Sequence, residues 1–386
     1  MVSISTSIAS GSVDIIDVSD PSDIKLALRQ DPNGVFLGWF HFRVSGARGT
    51  PCRFNLVNAG DILSWRLANR EDYEHGWQGT GPMVSYDGQT WFRIPGTFEG
   101  TTFSFEHTPE HDICYYATWA PYGAEREHAA IARAQMSPLV RLETLGTSVE
   151  GRPIDMLTIG EPAADKKKCW IIARQHASET QGGYFVEGLL DRLLDRTDPV
   201  SRALLSSAVI YVVPNVNPDG SANGLTRSNV KGANLNREWV SPSLENSPEV
   251  FHVRGKMEEI GLDFCIDCHA DKELRCNFIW PSENVPTWTP ERRGIFETFE
   301  NAWAQASPDY ELGHPYPGGC PEVADLSMAW NWIGNRFPHA LSILLEQPFK
   351  DVTRFTMPET GWSPARAYRF GRSFVEALRA TAGRLG

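Results

Sequence analysis

His176 and Glu179 are separated by two residues and follow the short apolar run Cys169 to Ala173. That run is partly β-branched and follows three lysines, which predicts a buried strand with both side chains just past its carboxyl end. Imidazole nitrogen and carboxylate oxygen are both common zinc ligands. Two donors do not hold a catalytic metal, so this interpretation requires a third ligand and a base elsewhere in the chain.

A third donor follows another predicted strand. The run Phe264 to Asp267 is mostly apolar, and His269 lies two residues past its end in Asp267-Cys268-His269. Two histidines and one glutamate leave a fourth zinc position open for water, as catalytic sites need. A surface loop or a core histidine would explain any one of these residues alone. Their occurrence together at two strand ends favours a zinc site.

The elements that position these residues have the pattern of an α/β domain. Short apolar runs alternate with longer segments of helical periodicity, and polar residues collect past the strand ends, where open α/β sheets place their sites. The predicted strands are Ile154 to Ile159, Ala208 to Val213 and Leu341 to Leu345, and the predicted helices are Glu125 to Gln135, Thr180 to Arg196, 290–306 and 364–384.

The amino-terminal part has a different pattern, with short aromatic or apolar runs separated by turn residues. We predict an all-β sandwich domain over residues 1–122 and an α/β domain over residues 123–386, with the boundary near Ala120-Pro121-Tyr122-Gly123. The predicted strands are 35–44, Cys52 to Val57, Met83 to Tyr86, Thr90 to Ile94, Thr102 to Phe105 and Ile113 to Ala117. We interpret the aromatic residues as core in preference to a carbohydrate site.

Composition excludes several classes of protein. The net charge of −12 argues against nonspecific nucleic-acid binding, which needs a basic face. No apolar stretch approaches the roughly 18 residues that span a bilayer, and no secretory signal precedes Val18, so we expect a cytoplasmic protein without membrane association. The seven cysteines suit reduced, buried thiols, and Cys265-Ile266-Asp267-Cys268 is interpreted as a strand. No oligomeric state follows from the sequence.

The order of the remaining motifs is specific. Asn217-Pro218-Asp219-Gly220 follows a strand, Arg227 stands alone, Asn236-Arg237 follows, and Glu346 lies in a late strand. With the three metal-binding residues, this order over residues 138–384 resembles the zinc metallocarboxypeptidases of the carboxypeptidase A family. Phe40 to Val44 and the junction near residue 121 look like the cytosolic carboxypeptidase subfamily. The resemblance implies an α/β fold with a mixed eight-stranded sheet.

The resemblance also implies roles for individual residues. His176, Glu179 and His269 match the zinc ligands of the family, and Glu346 matches the general base that takes a proton from the attacking water. Arg227 matches the arginine that stabilises the oxyanion. Asn236 and Arg237 match the pair that binds the terminal carboxylate of a peptide or protein substrate, and the subfamily is associated with removal of glutamate.

Three positions depart from the family pattern. Asn234 stands where the carboxypeptidase A pattern has an aspartate that orients the first histidine, so we expect weaker zinc binding. Tyr316 is a candidate for the mobile tyrosine of the family, although core packing explains it equally well. Arg336 is a candidate for binding the glutamate side chain of a substrate. The alternative is that Arg336 is a solvated charge at the surface.

Two other functions remain open. A zinc deacylase of the aspartoacylase or succinylglutamate desuccinylase type shares His-x-x-Glu, Leu-Asn-Arg and a strand-end histidine. The Asn-Pro-Asp-Gly motif and the amino-terminal sandwich favour the carboxypeptidase. A peptide-binding protein on an inactive scaffold would lack a ligand or the base, and neither is missing from this sequence.

Overall fold

Two five-stranded sheets form the amino-terminal part of the chain in the computed structural model, which describes residues 1–32, 36–61, 74–313, 316, 319 and 321–386. Their orders are β1-β4-β10-β6-β7 and β2-β3-β5-β9-β8. The strands are β1 Ser3–Ser5, β2 Asp14–Asp17, β3 Ile24–Ala27, β4 His41–Ser45, β5 Cys52–Leu56, β6 Met83–Ser85, β7 Phe92–Arg93, β8 Gly96–Glu99, β9 Thr102–His107 and β10 Ile113–Ala117.

The two sheets pack face to face, as the prediction of a sandwich requires. The ring of Phe42 in one sheet lies 5.8 Å from that of Phe54 in the other, and Tyr116 lies 5.5 Å from Phe105. The strand predicted over 35–44 begins only at His41, and Val35 lies outside the described residues. The amide of Phe40 donates to a side-chain oxygen, so that residue does not extend the strand.

A third sheet, which is mixed and has seven strands, follows in the order β11-β12-β14-β13-β15-β17-β16. Its four central strands, β14, β13, β15 and β17, are parallel, and the flanking pairs are antiparallel. The resemblance implied eight strands, and the described residues form seven. The bounds are β11 Val140–Thr147, β12 Pro153–Ile159, β13 Lys167–Ala173, β14 Ala208–Val213, β15 Phe264–Asp271, β16 Phe278–Pro281 and β17 Leu341–Pro348.

Helices cover both faces of this sheet, which is why its central strands are continuous apolar runs. Helices α2, α6 and α8 contribute to one apolar cluster with the sheet, and α5 and α7 contribute to the other. The helices are α1 Ala124–Ala134, α2 Gln181–Leu193, α3 Pro199–Ser207, α4 Pro218–Asn223, α5 Pro248–Ile260, α6 Pro290–Ala306, α7 Ala329–Arg336 and α8 Pro364–Ala382. No helix of the described residues is long and apolar enough to cross a membrane.

The cysteine pair in β15 is structural. Cys265 belongs to the apolar cluster on one face of the sheet and Cys268 to the cluster on the other. Their thiols therefore point to opposite faces and cannot bind one metal ion. Each of the six described cysteines is buried and free, as predicted for reduced thiols.

Candidate active site

The carboxyl ends of the parallel strands bring the predicted site residues together. His176 and Glu179 lie in the loop between β13 and α2, while His269 lies in β15 and Glu346 in β17. In the register of the sheet, His269 is paired directly with Glu346. Because both strands run in the same direction, the proposed ligand and base lie at the same edge of the sheet, where open α/β sheets bind ligands.

The three predicted ligands form one buried cluster. The carboxylate of Glu179 lies between the histidines, with Oε1 2.7 Å from Nδ1 of His176 and Oε2 2.8 Å from Nδ1 of His269. The two Nδ1 atoms are 3.1 Å apart, and one donor atom from each residue lies within 4.8 Å of the others. Among the described residues, this is the one such group of three potential ligands.

The outer nitrogen of each histidine has its own acceptor. Nε2 of His176 donates to Oδ1 of Asn234 at 3.2 Å, and Nε2 of His269 donates to Oδ2 of Asp267 at 2.9 Å. These bonds fix the ring orientations and direct both Nδ1 atoms toward Glu179, as metal-ligating histidines require. The residues present therefore fit a zinc ion bound by His176, Glu179 and His269.

Burial and neighbouring charges set the protonation of the cluster. Burial, together with the charge of Arg227, lowers the pKa of His176 to about 3, so this imidazole is neutral. Burial alone would raise the pKa of Glu179, but the two histidines lower it. Burial would lower the pKa of His269, but Asp267 and Glu179 raise it well above its usual range. A metal ion bound here would need His269 as a neutral ligand, so its binding would depend on pH.

Asp267 is held by a further chain of buried polar groups. Both of its carboxylate oxygens accept from Nε2 of Gln175 at 2.8 Å, and Oε1 of Gln175 accepts from the indole of Trp239 at 2.7 Å. All three side chains are fully buried. This chain orients Asp267, and Asp267 in turn orients the ligand His269.

Tyr316 lies beside the predicted base. Its hydroxyl donates to Oε1 of Glu346, and its ring meets the edge of Phe278 at 5.0 Å between centroids. Phe278 is paired with Glu346 in the antiparallel register of β16 and β17. The structure thus places Tyr316 at the site. The sequence alone explained this tyrosine equally well by core packing.

The Asn-Pro-Asp-Gly turn connects the metal-binding loop with the segment that carries Arg227. Asn217 caps α4, because its Oδ1 accepts from the amide of Gly220 at 2.9 Å. Its Nδ2 donates to the carbonyls of Gln175 at 3.1 Å and Ser228 at 3.0 Å. A single buried side chain therefore fixes the backbone on both sides of the site.

Asn236 and Arg237 follow in a short 3-10 helix, Leu235–Arg237. Oδ1 of Asn236 accepts from the amide of Ala329 at 2.8 Å, and Nδ2 lies 3.3 Å from Nε2 of His269. Nε of Arg237 lies 3.4 Å from the carboxylate of Asp325. The amide and the guanidinium, which is paired with Asp325, line the same cavity as the metal cluster, and groups of this kind bind the carboxylate of a substrate.

One cavity of about 390 Å³ is lined by the three predicted ligands together with Arg227, Asn236, Arg237, Tyr316 and Glu346. Arg336 does not line it: its guanidinium lies at the end of α7, 3.2 Å from Glu258, with the side chain 55% exposed. The prediction that Arg336 meets a substrate side chain therefore does not match its place in the fold. The lining residues from both parts of the chain include Phe36, Leu37, His75, Trp77, His176, Glu179, Arg227, Asn236, Arg237, His269, Lys272, Tyr316, Met328, Trp330, Leu344, Glu346 and Phe349.

Sequence reasoning gave no role to several residues that line the cavity, or to Asp267, which orients His269. Asp267 had a detectable signal, since it is a carboxylate within an apolar strand and lies two residues before His269 on the same face. Lys272 lies between Trp77 and Phe349, with Nζ 5.1 Å from each ring centroid. Phe36 and Trp77 come from the amino-terminal part, and no local pattern indicates that they reach a cavity so distant in sequence.

Comparison with known proteins agrees with the geometry. Residues 4–119 match the family model described as the cytosolic carboxypeptidase N-terminal domain, and residues 128–359 match the zinc carboxypeptidase model. An uncharacterised protein of Zymomonas mobilis is 36% identical over 95% of this chain and 93% of its own length. Cytosolic carboxypeptidase 6 of Mus musculus is 28% identical over 74% of this chain, which spans 56% of the mouse protein.

Two solved structures superpose on nearly the whole chain. The metallo-carboxypeptidase of Burkholderia cenocepacia has a TM-score of 0.94 and 38% identity, covering 99% of this chain and 100% of its own. The metallo-carboxypeptidase of Pseudomonas aeruginosa, solved with (2-guanidinoethylmercapto)succinic acid, has a TM-score of 0.91 and 36% identity, covering 99% of each chain. The chain therefore belongs to the zinc carboxypeptidase family, and its amino-terminal part is the N-terminal domain found in cytosolic carboxypeptidases.

Proposed function

We propose that this metallocarboxypeptidase hydrolyses the last peptide bond of substrates that end in an acidic residue, above all glutamate, through base-assisted attack of water. The observation that carries the proposal is the shared cavity of the metal cluster, Glu346 and the pair Asn236 and Arg237. A ligand set, a base and a carboxylate-binding pair within one cavity are what removal of a terminal residue requires.

Recognition of the free carboxyl terminus falls to Asn236 and Arg237. The planar guanidinium of Arg237 presents two parallel N–H groups, which match the two oxygens of a carboxylate. Its position is maintained by Asp325 and by a bond from Nη1 to the carbonyl of Asn236 at 2.7 Å. Binding here would place the last peptide bond of the substrate next to the metal cluster.

The chemical step combines a metal, a base and an oxyanion partner. A zinc ion held by His176, Glu179 and His269 supplies Lewis-acid chemistry, which acidifies water and polarises a carbonyl. Glu346 then takes the proton from the attacking water and passes it to the leaving amine. Arg227 stabilises the negative charge that develops on the carbonyl oxygen. Tyr316 holds Oε1 of Glu346, which orients the base.

The preference for acidic residues is supported by Lys272 in the cavity and not by a net positive charge, since Asp271 and Glu273 also line it. Its described lining includes three basic side chains that are cationic at neutral pH: Arg227, Arg237 and Lys272. Arg227 is already assigned to the oxyanion and Arg237 to the terminal carboxylate, which leaves Lys272 for the side chain of the substrate. Burial lowers the pKa of Lys272 to about 8, so it retains its charge at neutral pH. Met328, Trp330 and Leu344 provide apolar surface for the methylene stem of a long acidic side chain.

A panel of peptides that differ only in their last residue tests this proposal, with a side-chain-branched glutamate peptide and an N-acyl amino acid included. We expect release of the terminal residue from the peptides, fastest with glutamate. Release from the N-acyl amino acid alone would favour the deacylase. Faster removal of phenylalanine or leucine than of glutamate would contradict the acidic preference but not the carboxypeptidase activity.

Glu346→Gln tests the role of the base separately. The amide keeps the shape of the side chain but cannot accept the proton, so turnover should fall about 10²- to 10⁴-fold, the usual contribution of a general base. Zinc content, measured by elemental analysis, should remain that of the wild type. Turnover at the wild-type rate would show that another group is the base.

The relatives named cytosolic carboxypeptidases support a cytoplasmic location for this chain, which we propose together with the activity. Peptide or protein carboxyl termini are the proposed partners. Fractionation of cells that express the full chain with a carboxyl-terminal tag would test the location, and recovery in a secreted fraction would contradict it.

A further inference from the structure

Asp31, in the amino-terminal part, has a buried carboxylate that binds the backbone of the segment carrying Arg227. Oδ1 accepts from the amide of Thr226 at 2.7 Å. Oδ2 accepts from the amides of Arg227 and Ser228 at 2.7 Å each and from the hydroxyl of Ser228 at 3.0 Å. Three successive N–H groups therefore converge on one side chain that is 4% exposed.

These bonds determine the position of Arg227. Hydrogen bonds to an ionised carboxylate are roughly twice as strong as neutral ones, and burial strengthens them further. With three consecutive amides fixed, the backbone at Arg227 has little freedom to rotate. The same segment is tied to the metal-binding loop, because the carbonyl of Thr226 accepts from the amide of Ser178 at 3.1 Å.

The side chain of Arg227 meets the same amino-terminal segment. Its guanidinium carbon lies 5.4 Å from the ring centroid of Phe36, within the range of a cation–π contact. The amide of Asp31 donates to the carbonyl of Phe36 at 3.3 Å, so the two residues are also connected to each other. One segment of the sandwich therefore contacts both the backbone and the charged group of Arg227.

We propose that Asp31 is a positioning residue for Arg227, so that the amino-terminal domain completes the catalytic site of the domain that follows it. Asp31 does not line the cavity and would act through Arg227 alone. The inference rests on the oxyanion-stabilising role proposed above for Arg227. It gives the amino-terminal domain a part in catalysis that is separate from any part in substrate recruitment.

If the role of Asp31 were purely structural, its substitution would have a different effect. If Asp31 only joins the two parts of the chain, its loss lowers stability and leaves the turnover of the folded enzyme unchanged. If Asp31 positions Arg227, its loss lowers kcat, because Arg227 acts on charge that develops in the transition state. Substrate binding and zinc content should change little in that case.

The experiment is a double-mutant cycle in the zinc-loaded full-length enzyme, with Asp31→Asn, Arg227→Ala and the pair. The amide of Asn is isosteric with the carboxylate but turns an N–H₂ group toward N–H donors. We expect Asp31→Asn to lower kcat about 10- to 100-fold, since a small misplacement of a catalytic group costs about that much. KM should stay within about threefold of the wild type, since interactions made only in the transition state affect kcat.

The decisive comparison is the effect of Asp31→Asn on kcat in the Arg227→Ala variant. If Asp31 acts through Arg227, Asp31→Asn should change the kcat of Arg227→Ala by less than about twofold. An equal loss of kcat in both backgrounds would overturn the inference, as would a wild-type kcat or loss of zinc in Asp31→Asn. Wild-type kcat in Arg227→Ala would instead overturn the proposed role of Arg227, and the inference with it.

Two further variants control for effects on folding. Glu74→Gln makes the same change of carboxylate to amide at another contact between the two parts of the chain, the 3.0 Å ion pair with Lys350. It should keep kcat, and a loss equal to that of Asp31→Asn would overturn the inference. If Asp31→Asn does not fold, Phe36→Leu removes the ring beside the guanidinium and should lower kcat only when Arg227 is present. An equal loss of kcat from Phe36→Leu in the wild type and in Arg227→Ala would overturn the inference.

Discussion

Asn234 is the residue at which this site departs from the carboxypeptidase A pattern. The sequence predicts that a neutral amide replaces the usual aspartate, and the structure places its Oδ1 3.2 Å from Nε2 of His176. A neutral acceptor makes the imidazole a weaker base than a carboxylate does. The other histidine ligand has a carboxylate partner, Asp267, so the two ligands are supported unequally.

We therefore expect Asn234→Ala to weaken zinc binding by about 10- to 100-fold, the usual effect of losing the partner of a ligating histidine. Asn234→Asp is the matched variant, since its carboxylate keeps the shape and adds charge, and it should bind zinc more tightly than the wild type. Competition with a chromophoric chelator measures both dissociation constants. Equal zinc affinity in all three proteins would show that this contact does not support the ligand.

The order of motifs predicted eight of the residues that line the cavity, among them the three proposed ligands and the proposed base, but not the remaining lining residues. His176 and Glu179 follow a strand that is recognisable as an apolar run, and His269 and Glu346 lie near the carboxyl ends of two others, where such sites form. Asp31 could not be predicted, because its partners lie 195 to 197 positions away and a lone aspartate in a loop has no distinguishing pattern. Arg336 was predicted from charge and spacing, which carry no information about the direction of a side chain on a helix.

At the scale of elements, helices α2 and α8 approach closely enough that two glycines are needed. A Cβ added at Gly188 would lie 1.9 Å from the carbonyl oxygen of Tyr368, and one at Gly371 would lie 1.9 Å from that of Phe185. Each helix therefore presents a glycine to the backbone of the other. Backbone atoms cannot move aside as a flexible side chain can, so the helices would have to separate.

Gly188→Ala should lower the free energy of unfolding by about 1–3 kcal/mol, the range for overpacking in a core. The matched control is Gly255→Ala in α5, where an added Cβ has nothing within 4 Å. There, the better helix propensity of alanine should stabilise the protein by up to about 1 kcal/mol. Denaturant unfolding measures both, and stabilisation by Gly188→Ala would contradict the packing described.

Glu249, in the first turn of α5, gives an element-scale prediction of pH dependence. Its side chain is fully buried, and burial raises its pKa from 4.5 to about 7. Between these values the folded state binds more protons than the unfolded state, so the free energy of unfolding falls as pH rises. The contribution lost across this window is at most about 3.5 kcal/mol, from about 1.4 kcal/mol per pKa unit.

Glu249→Gln cannot titrate at this position, so the contribution of Glu249 to the loss of stability across that window should be absent. The difference in free energy of unfolding between this variant and the wild type should therefore grow from pH 4.5 to 7 and then level off. Glu245→Gln, at an exposed position ahead of the helix, is the control for removal of a charge. A difference that stays constant with pH would contradict the burial of an ionisable Glu249.

Most of the predicted elements lie close to their observed bounds, and the reasons for the errors are physical. The elements that were not predicted are helices α3, α4, α5 and α7 and strands β1, β2, β3, β8, β11 and β16. The helix at 290–306 and the strand at Ala208 to Val213 match, because length and burial on both faces give clear patterns. The strand from Phe264 extends to Asp271, past the point where its residues become polar. Its polar end is hidden from pattern reasoning because hydrogen bonds in the site, not apolar contacts, compensate for its burial.

At the scale of the whole molecule, contacts between the sandwich and the catalytic sheet are many and specific. The indole of Trp119 donates to the carbonyl of Trp362 at 2.9 Å, and Arg93 donates to the carbonyl of Phe349 at 2.9 Å. Phe349 lines the cavity, as do Phe36 and Trp77 from the sandwich. The sequence predicts two domains with a boundary at residue 122, which stays a prediction, but no local pattern indicates that both build the site.

The central claim is that a metal cluster and a carboxylate-binding pair act together on the carboxyl terminus of a peptide. The most direct test is a mass-spectrometric time course with the zinc-loaded enzyme and one peptide ending in glutamate, as the free acid and as the carboxyl-terminal amide. We predict stepwise loss of terminal residues from the free acid and none from the amide, because Arg237 needs an anionic partner. Equal cleavage of both forms, or cleavage of neither, would contradict the claim.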